Sequence, residues 1–215
     1  MDTLLNFDTY LTLLINGSDS IWLDNVAMLC TITWVWAPLY IALIYNLIRH
    51  VKRPTLWYIL GGLVLCVLVC DQVSSSIVKP LVCRPRPTHD PAIMHLVDTV
   101  NNYRGGQYGF FSSHAANTMS IAVFTSMVVR QRTTTIALLF WSAVNCWTRL
   151  YLGVHFFGDI LVGLLFGAVV GYAIFFLVRR FTKESIPTFH INTSRDIVCS
   201  CLCVPIFAAL AAIFL

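Results

Sequence analysis

The stretch from Thr148 to Asp159, TRLYLGVHFFGD, sets an arginine, a histidine and an aspartate between two strongly apolar runs. Charge in such surroundings needs a reason. His155 and Asp159 are four residues apart, so a helix beginning at His155 puts both on one face. The carboxylate then accepts a proton from one ring nitrogen and leaves the other free to attack. Arg149 lies six residues before the histidine and can return to the same point only through a short loop, for which Gly153 offers a turn. There it would act as a bidentate oxyanion clamp beside a nucleophile. For this stretch alone a second reading stays open, a snorkelling arginine and a helix-capping aspartate.

Two other segments carry compatible chemistry. In KPLVCRPRP, Lys79 to Pro87, the lysine can place a point charge and Arg86 a planar fork on phosphate oxygens. Pro80, Pro85 and Pro87 stiffen that backbone, so less entropy is lost when a clamp closes. In FSSH, Phe111 to His114, Ser112 reads as a helix N-cap. The free N–H groups and hydroxyls of that first turn can bind an oxyanion, and His114 is placed to give a proton to a leaving oxygen.

The elements that must hold these residues follow from composition. With 215 residues, 58% of them hydrophobic and 11% charged, and a mean hydropathy of +0.76, the chain reads as a membrane protein with one helical domain over 1–215. Residues 1–17 lack a basic n-region and carry Asp2 and Asp8, unlike a cleaved signal peptide. Leu4, Phe7, Leu11, Leu14 and Ile15 form an apolar stripe that predicts a helix lying in the membrane interface. Six apolar runs predict an all-α bundle of six membrane helices, at about 25–48, 55–78, 112–129, 133–152, 158–178 and 197–215. Asp71 falls inside the second, either as a functional acid or as a helix-packing hydrogen-bond partner. Trp22, Trp57 and Trp147 fit interfacial belts, and Trp34, Trp36 and Trp141 read as packing residues. The cysteines show neither a disulfide framework nor a zinc-ligand spacing, and the loop pairs His89/Asp90 and His95/Asp98 lack one too.

Basic residues set the orientation. With the first loop in the cytoplasm, nine of the fourteen Lys and Arg residues fall inside, among them Arg130, Arg132, Arg179, Arg180, Lys183 and Arg195, and His190 lies on that side too. The other five, Lys79, Arg84, Arg86, Arg104 and Arg149, gather at the outer face and break the positive-inside rule together. A bound anion explains such a cluster, and no basic surface is left for nucleic acid.

The segments match, in order, K-x6-R-P, P-S-G-H and S-R-x5-H-x3-D, and so resemble the three signatures of the type-2 phosphatidic acid phosphatase superfamily. The resemblance covers about Asp71 to Asp159. It implies that His155 takes the phosphoryl group, that Asp159 holds its tautomer, and that His114 protonates the leaving group and later helps activate water. It also implies that Lys79, Arg86, Arg149, Ser112 and the N–H groups of Ser113 and His114 stabilise the transferring phosphoryl group, with no metal and no other cofactor. Three positions depart from the pattern: Phe111 replaces proline, Ser113 glycine and Thr148 serine. We read these as changes in substrate fit, with Phe111 expected to line the pocket. Arg84 and Arg104 are extra to the motifs and suit either a second phosphate or headgroup, or ordinary interface positions.

The expected substrate is a phosphorylated membrane lipid reached from the outer leaflet of a bacterial inner membrane, with the bilayer as the other partner. Lipid A phosphate is favoured, then undecaprenyl diphosphate, then phosphatidylglycerol phosphate or phosphatidic acid. Vanadate-dependent halide oxidation uses related signatures but in soluble proteins. A non-enzymatic flippase or receptor could use the same basic cluster, although binding alone does not need the His155 and Asp159 pairing.

Overall fold

The computed structural model describes residues 2–182 and 195–214, so the predicted cytoplasmic positions of Lys183 and His190 lie outside the described residues. Within them the protein is all helical, and the nearest thing to a strand is an isolated bridge between Pro85 and Tyr108.

The first helix, α1 (Asp2–Ile15), exposes Leu4, Phe7 and Leu14 and turns Thr12 fully inward. The apolar run predicted as one span over 25–48 is instead two helices, α2 (Ile21–Thr31) and α3 (Ala37–His50), bent by 73° across a short turn at Thr33–Trp36. The β-branched run Thr31-Ile32-Thr33 explains the break, since Ile32 takes an extended conformation. The Trp36 indole N–H donates to the Cys30 carbonyl at 2.9 Å and fastens the corner. Trp36 and Trp141 are buried edge to face, 6.2 Å between centroids, as packing residues should be. Trp34 is not one of them: it sits on the outside of the bend, 85% exposed.

The next helix, α4 (Arg53–Gln72), continues through a wide turn at Val73–Val78 into the short α5 (Lys79–Val82), giving one apolar rod of 30 residues. It runs one turn beyond the predicted end and so carries Lys79 on its tip. The Ser74 hydroxyl, inside the wide turn, donates to the Phe111 carbonyl at 2.9 Å and ties the rod to the loop before the following helix. Such π turns often mark functional segments.

Ser112 caps α6 (Ser113–Val129), its Oγ accepting the Ala115 N–H, as the sequence predicted. Then come α7 (Arg132–Tyr151), α8 (Phe157–Phe181) and α9 (Arg195–Ala211), the last with Pro205 inside it. The α4–α5 rod and α8 are each long and apolar enough to cross a bilayer, and the bent α2–α3 pair passes the same test as a unit. The other predicted spans are shorter or more polar: α6 and α9 have 17 residues each, and α7 carries Asn145 and Arg149.

The core lies where α4, α6 and α8 meet. Gly163, Gly167 and Gly171 form a ribbon on α8 that lets the α6 backbone approach directly. A Cβ at Gly163 would sit 2.7 Å from the Ser112 carbonyl, and at Gly167 and Gly171 it would strike the carbonyls of Ala116 and Ser120. That close seam sets the start of α6, with His114, against the start of α8, with Asp159.

Candidate active site

Gly153 makes the turn between α7 and α8 with φ +65°, and the Val154 N–H folds back onto the Arg149 carbonyl at 3.1 Å. This return brings the arginine beside the histidine. The helix does not begin at His155, however: α8 starts at Phe157, so loop geometry and not helical register sets the pairing. His155 Nδ1 lies 3.5 Å from Asp159 Oδ2, longer than a well-formed hydrogen bond, and meets no hydrogen-bond partner among the described residues. Nε2 points the other way, 3.4 Å from Arg86 Nη1.

The sequence left Asp159 open between a helix cap and a partner for His155, and the cap is present. Its Oδ2 accepts the Phe156 N–H at 3.0 Å and so caps α8, while the same carboxylate faces the histidine. Its Oδ1 accepts Arg84 Nη1 at 2.8 Å, and Arg84 Nη2 reaches Asp8 Oδ2 at 2.6 Å. Arg84 is therefore neither a second phosphate site nor an ordinary interface arginine. It is an ion-paired link between two carboxylates, stacked 3.9 Å over the Phe156 ring.

Backbone pairing fixes the arginines of the first motif. The Arg86 N–H donates to Gln107 O and the Gly109 N–H to Arg84 O, so residues 84–86 lie against residues 107–109. Arg86 donates through Nε to the Tyr108 carbonyl at 3.2 Å and through Nη1 to the Val154 carbonyl at 3.1 Å. Lys79 Nζ donates to Ser113 Oγ at 3.2 Å. Arg149 is 2% exposed, yet its Nε and Nη2 meet no hydrogen-bond partner among the described residues. Its neighbour is the Tyr103 ring, 5.9 Å from the guanidinium carbon. Buried donors are seldom left unmet, and a guanidinium fork with two free donors can hold an anion.

Burial and the charges of Arg86, Arg149 and Lys79 push the His155 pKa well below its usual 6.5, leaving a neutral imidazole. A buried neutral histidine backed by a carboxylate and ringed by cations can attack an electrophile that itself carries negative charge. His114 lies within electrostatic reach of His155, Arg86, Arg149 and Lys79. It also opens onto a cavity of about 550 Å³, mostly apolar, that extends between α3, α4, α6 and α7. Ser113, Asn117 and Asp71 lie on its wall, so Asp71 borders the cavity that leads to the site.

The other predicted residues fall outside the cluster. Phe111 does not line the cavity: it is 3% exposed and packs against Phe166 at 4.9 Å, because its position beside the α6–α8 seam is closed. Thr148 spends its hydroxyl within α7, on the Asn145 carbonyl at 2.8 Å, with Thr31 at 3.3 Å. Ser112 is wholly buried, its Oγ used as a cap and its N–H given to the Asp159 carbonyl at 3.1 Å. Arg104 is exposed and donates to the Thr88 carbonyl. Sequence reasoning missed Asp8 and Thr12, which cap α8 from another helix, and the glycine ribbon, whose four-residue spacing was legible.

The PAP2 superfamily model matches residues 55–183, which include all three motifs. A protein of Porphyromonas gingivalis named lipid A 4'-phosphatase is 38% identical over 177 residues, covering 81% of this chain and 74% of that protein. One of the same name from Bacteroides thetaiotaomicron is 34% identical over 186 residues, covering 86% and 82%. No solved structure matches the chain. With a family match over more than half its length, and with relatives similar over most of theirs, the chain belongs to the PAP2 superfamily and is a phosphatase, a hydrolase of phosphoric esters.

Proposed function

We propose that the protein removes the 4'-phosphate of lipid A through a phosphohistidine on His155. The substrate reading rests on the two relatives, and the mechanism rests above all on one observation: the buried Arg149 guanidinium, with its Nε and Nη2 donors unmet among the described residues, within electrostatic reach of a neutral His155. His155 Nε2 attacks phosphorus in line, and the P–O bond to the sugar breaks. His114 gives its proton to the departing oxygen. Water then attacks the phosphohistidine, with His114 taking the proton, and the P–N bond breaks to release inorganic phosphate. Arg149, Arg86 and Lys79 hold the equatorial oxygens, joined by the Ser113 and His114 N–H groups at the start of α6. Ser112 holds the cap that aims them. Asp159 keeps the Nδ1 proton in place and offsets the positive ring. No step calls for a metal.

The apolar cavity leading away from His114 supports a lipid substrate, since it offers acyl chains a place beside the chemistry. We read residues 1–215 as a single membrane-embedded domain with α1 in the interface and six spans in a bacterial inner membrane. The site then faces the periplasm, as the outer-face basic cluster suggests.

The test is phosphate release from lipid A in detergent micelles with EDTA, together with alkaline quenching of 32P-labelled substrate. Wild type should turn over and accumulate a label that is acid-labile and base-stable, and His155→Ala should do neither. Turnover by His155→Ala at the wild-type rate would sink the mechanism. A folded wild-type protein that binds lipid A without releasing phosphate would point to a flippase or receptor.

A further inference from the structure

The site draws on a part of the chain that the family match does not include. The match begins at residue 55, whereas α1 ends at Ile15. Yet α1 sends two side chains into the start of α8. Asp8 Oδ1 accepts the Gly158 N–H at 2.6 Å, and Thr12 Oγ1 accepts the Phe157 N–H at 3.0 Å. These are the free N–H groups of the turn that carries Asp159, and here a different helix satisfies them. The other oxygen of Asp8 holds Arg84, which holds Asp159.

We propose that α1 is part of the catalytic apparatus, with Asp8 as a positioning residue that fixes Arg84 and the first turn of α8 and through both aims Asp159 at His155. The inference rests on the reading of His155 as nucleophile. Two effects act together. Geometrically, Asp159 has only a 3.5 Å approach to Nδ1, so a small tilt of the α8 start or of Arg84 changes the contact that orients the ring. Electrostatically, Asp8, Arg84 and Asp159 carry one net negative charge together. Without Asp8, Arg84 would neutralise Asp159 alone, and less negative potential would remain to stabilise a phosphorylated, positively charged ring.

Docking of α1 does not rest on Asp8 alone. Asn16 donates to the Tyr151 and Asp98 carbonyls at 2.8 and 3.0 Å, and the Gly17 N–H donates to the Tyr151 carbonyl at 2.9 Å. Asp8→Asn keeps an oxygen for the Gly158 N–H and removes the charge, and it should leave the fold intact.

The experiment measures kcat and KM on 32P-labelled lipid A, and inhibition by orthovanadate as a probe of the phosphate cradle, for wild type, His155→Ala, Asp8→Asn and Asp8→Ala. Asp8→Asn should lower kcat about 10- to 100-fold, with KM and the vanadate inhibition constant within about twofold of wild type. Sodium formate, a small carboxylate able to enter beside Arg84, should restore part of kcat to Asp8→Ala and none to His155→Ala. If Asp8→Ala does not fold, Asp8→Asn carries the test alone. A wild-type kcat in Asp8→Asn, or a rise in KM and vanadate constant with kcat unchanged, would overturn the proposal. An active His155→Ala would instead remove the nucleophile reading beneath it, so the two failures are distinguishable.

Discussion

At the scale of single residues, the site is marked by two buried ionisable groups, a guanidinium with unmet donors and an imidazole that stays neutral. Arg149 and His155 are almost wholly covered, and the arginine meets no counter-ion among the described residues. In the unfolded chain the histidine titrates near 6.5, whereas in the fold burial and three cations depress that value. Between the two, the unfolded chain binds the proton and the folded one does not. The contribution of His155 to stability is therefore fully present above 6.5 and is lost as pH falls through the folded value. We expect the His155 ring of the free protein, followed by nitrogen NMR in detergent, to stay neutral as pH is lowered through 6.5. Bound phosphate or vanadate should raise its titration by offsetting the cations. A ring that titrates at or above 6.5 with the site empty would contradict the arrangement described here.

At the scale of elements, the seam between α6 and α8 sets the distance between the two histidine-bearing segments. A side chain at Gly167 would strike the Ala116 carbonyl, whereas one at Gly61 on α4 would meet nothing within 4 Å. Gly167→Ala should thus push the helices apart, costing about 1–3 kcal/mol of stability and lowering kcat as His114 and Asp159 separate. Gly61→Ala, on the same grounds, should keep both. Thermal unfolding in detergent and lipid A turnover, measured on the two variants side by side, check this. Equal behaviour of the two would mean that the seam does not set the site.

At the scale of the whole molecule, the active-site end and the opposite end differ in what they expose. Cys83 is exposed beside the Arg84–Arg86 segment, and Arg132 is exposed at the start of α7, which leads away to the other end. In spheroplasts, a membrane-impermeant maleimide should label Cys83 from outside, with Cys83→Ser as the control. In a Cys83→Ser background, Arg132→Cys should react only after the membrane is opened. Labelling of Arg132→Cys in intact spheroplasts would reverse the orientation.

The sequence by itself determined the family and the helical class and pointed to the charged residues of the candidate site, because motif spacing and apolar run length are local properties. It also carried the Ser112 cap and the need for a turn at Gly153, since capping and left-handed turns depend on a few adjacent residues. Only the tertiary structure decided the rest. The bend at Ile32 interrupts an unbroken apolar run that length alone reads as one span. Phe111 belongs to the core and Thr148 to helix packing, because burial depends on what arrives from elsewhere in the chain. Arg84 looked surplus until folding placed it between Asp8 and Asp159, residues 76 and 75 positions away, where electrostatics acts through space and sequence distance counts for nothing.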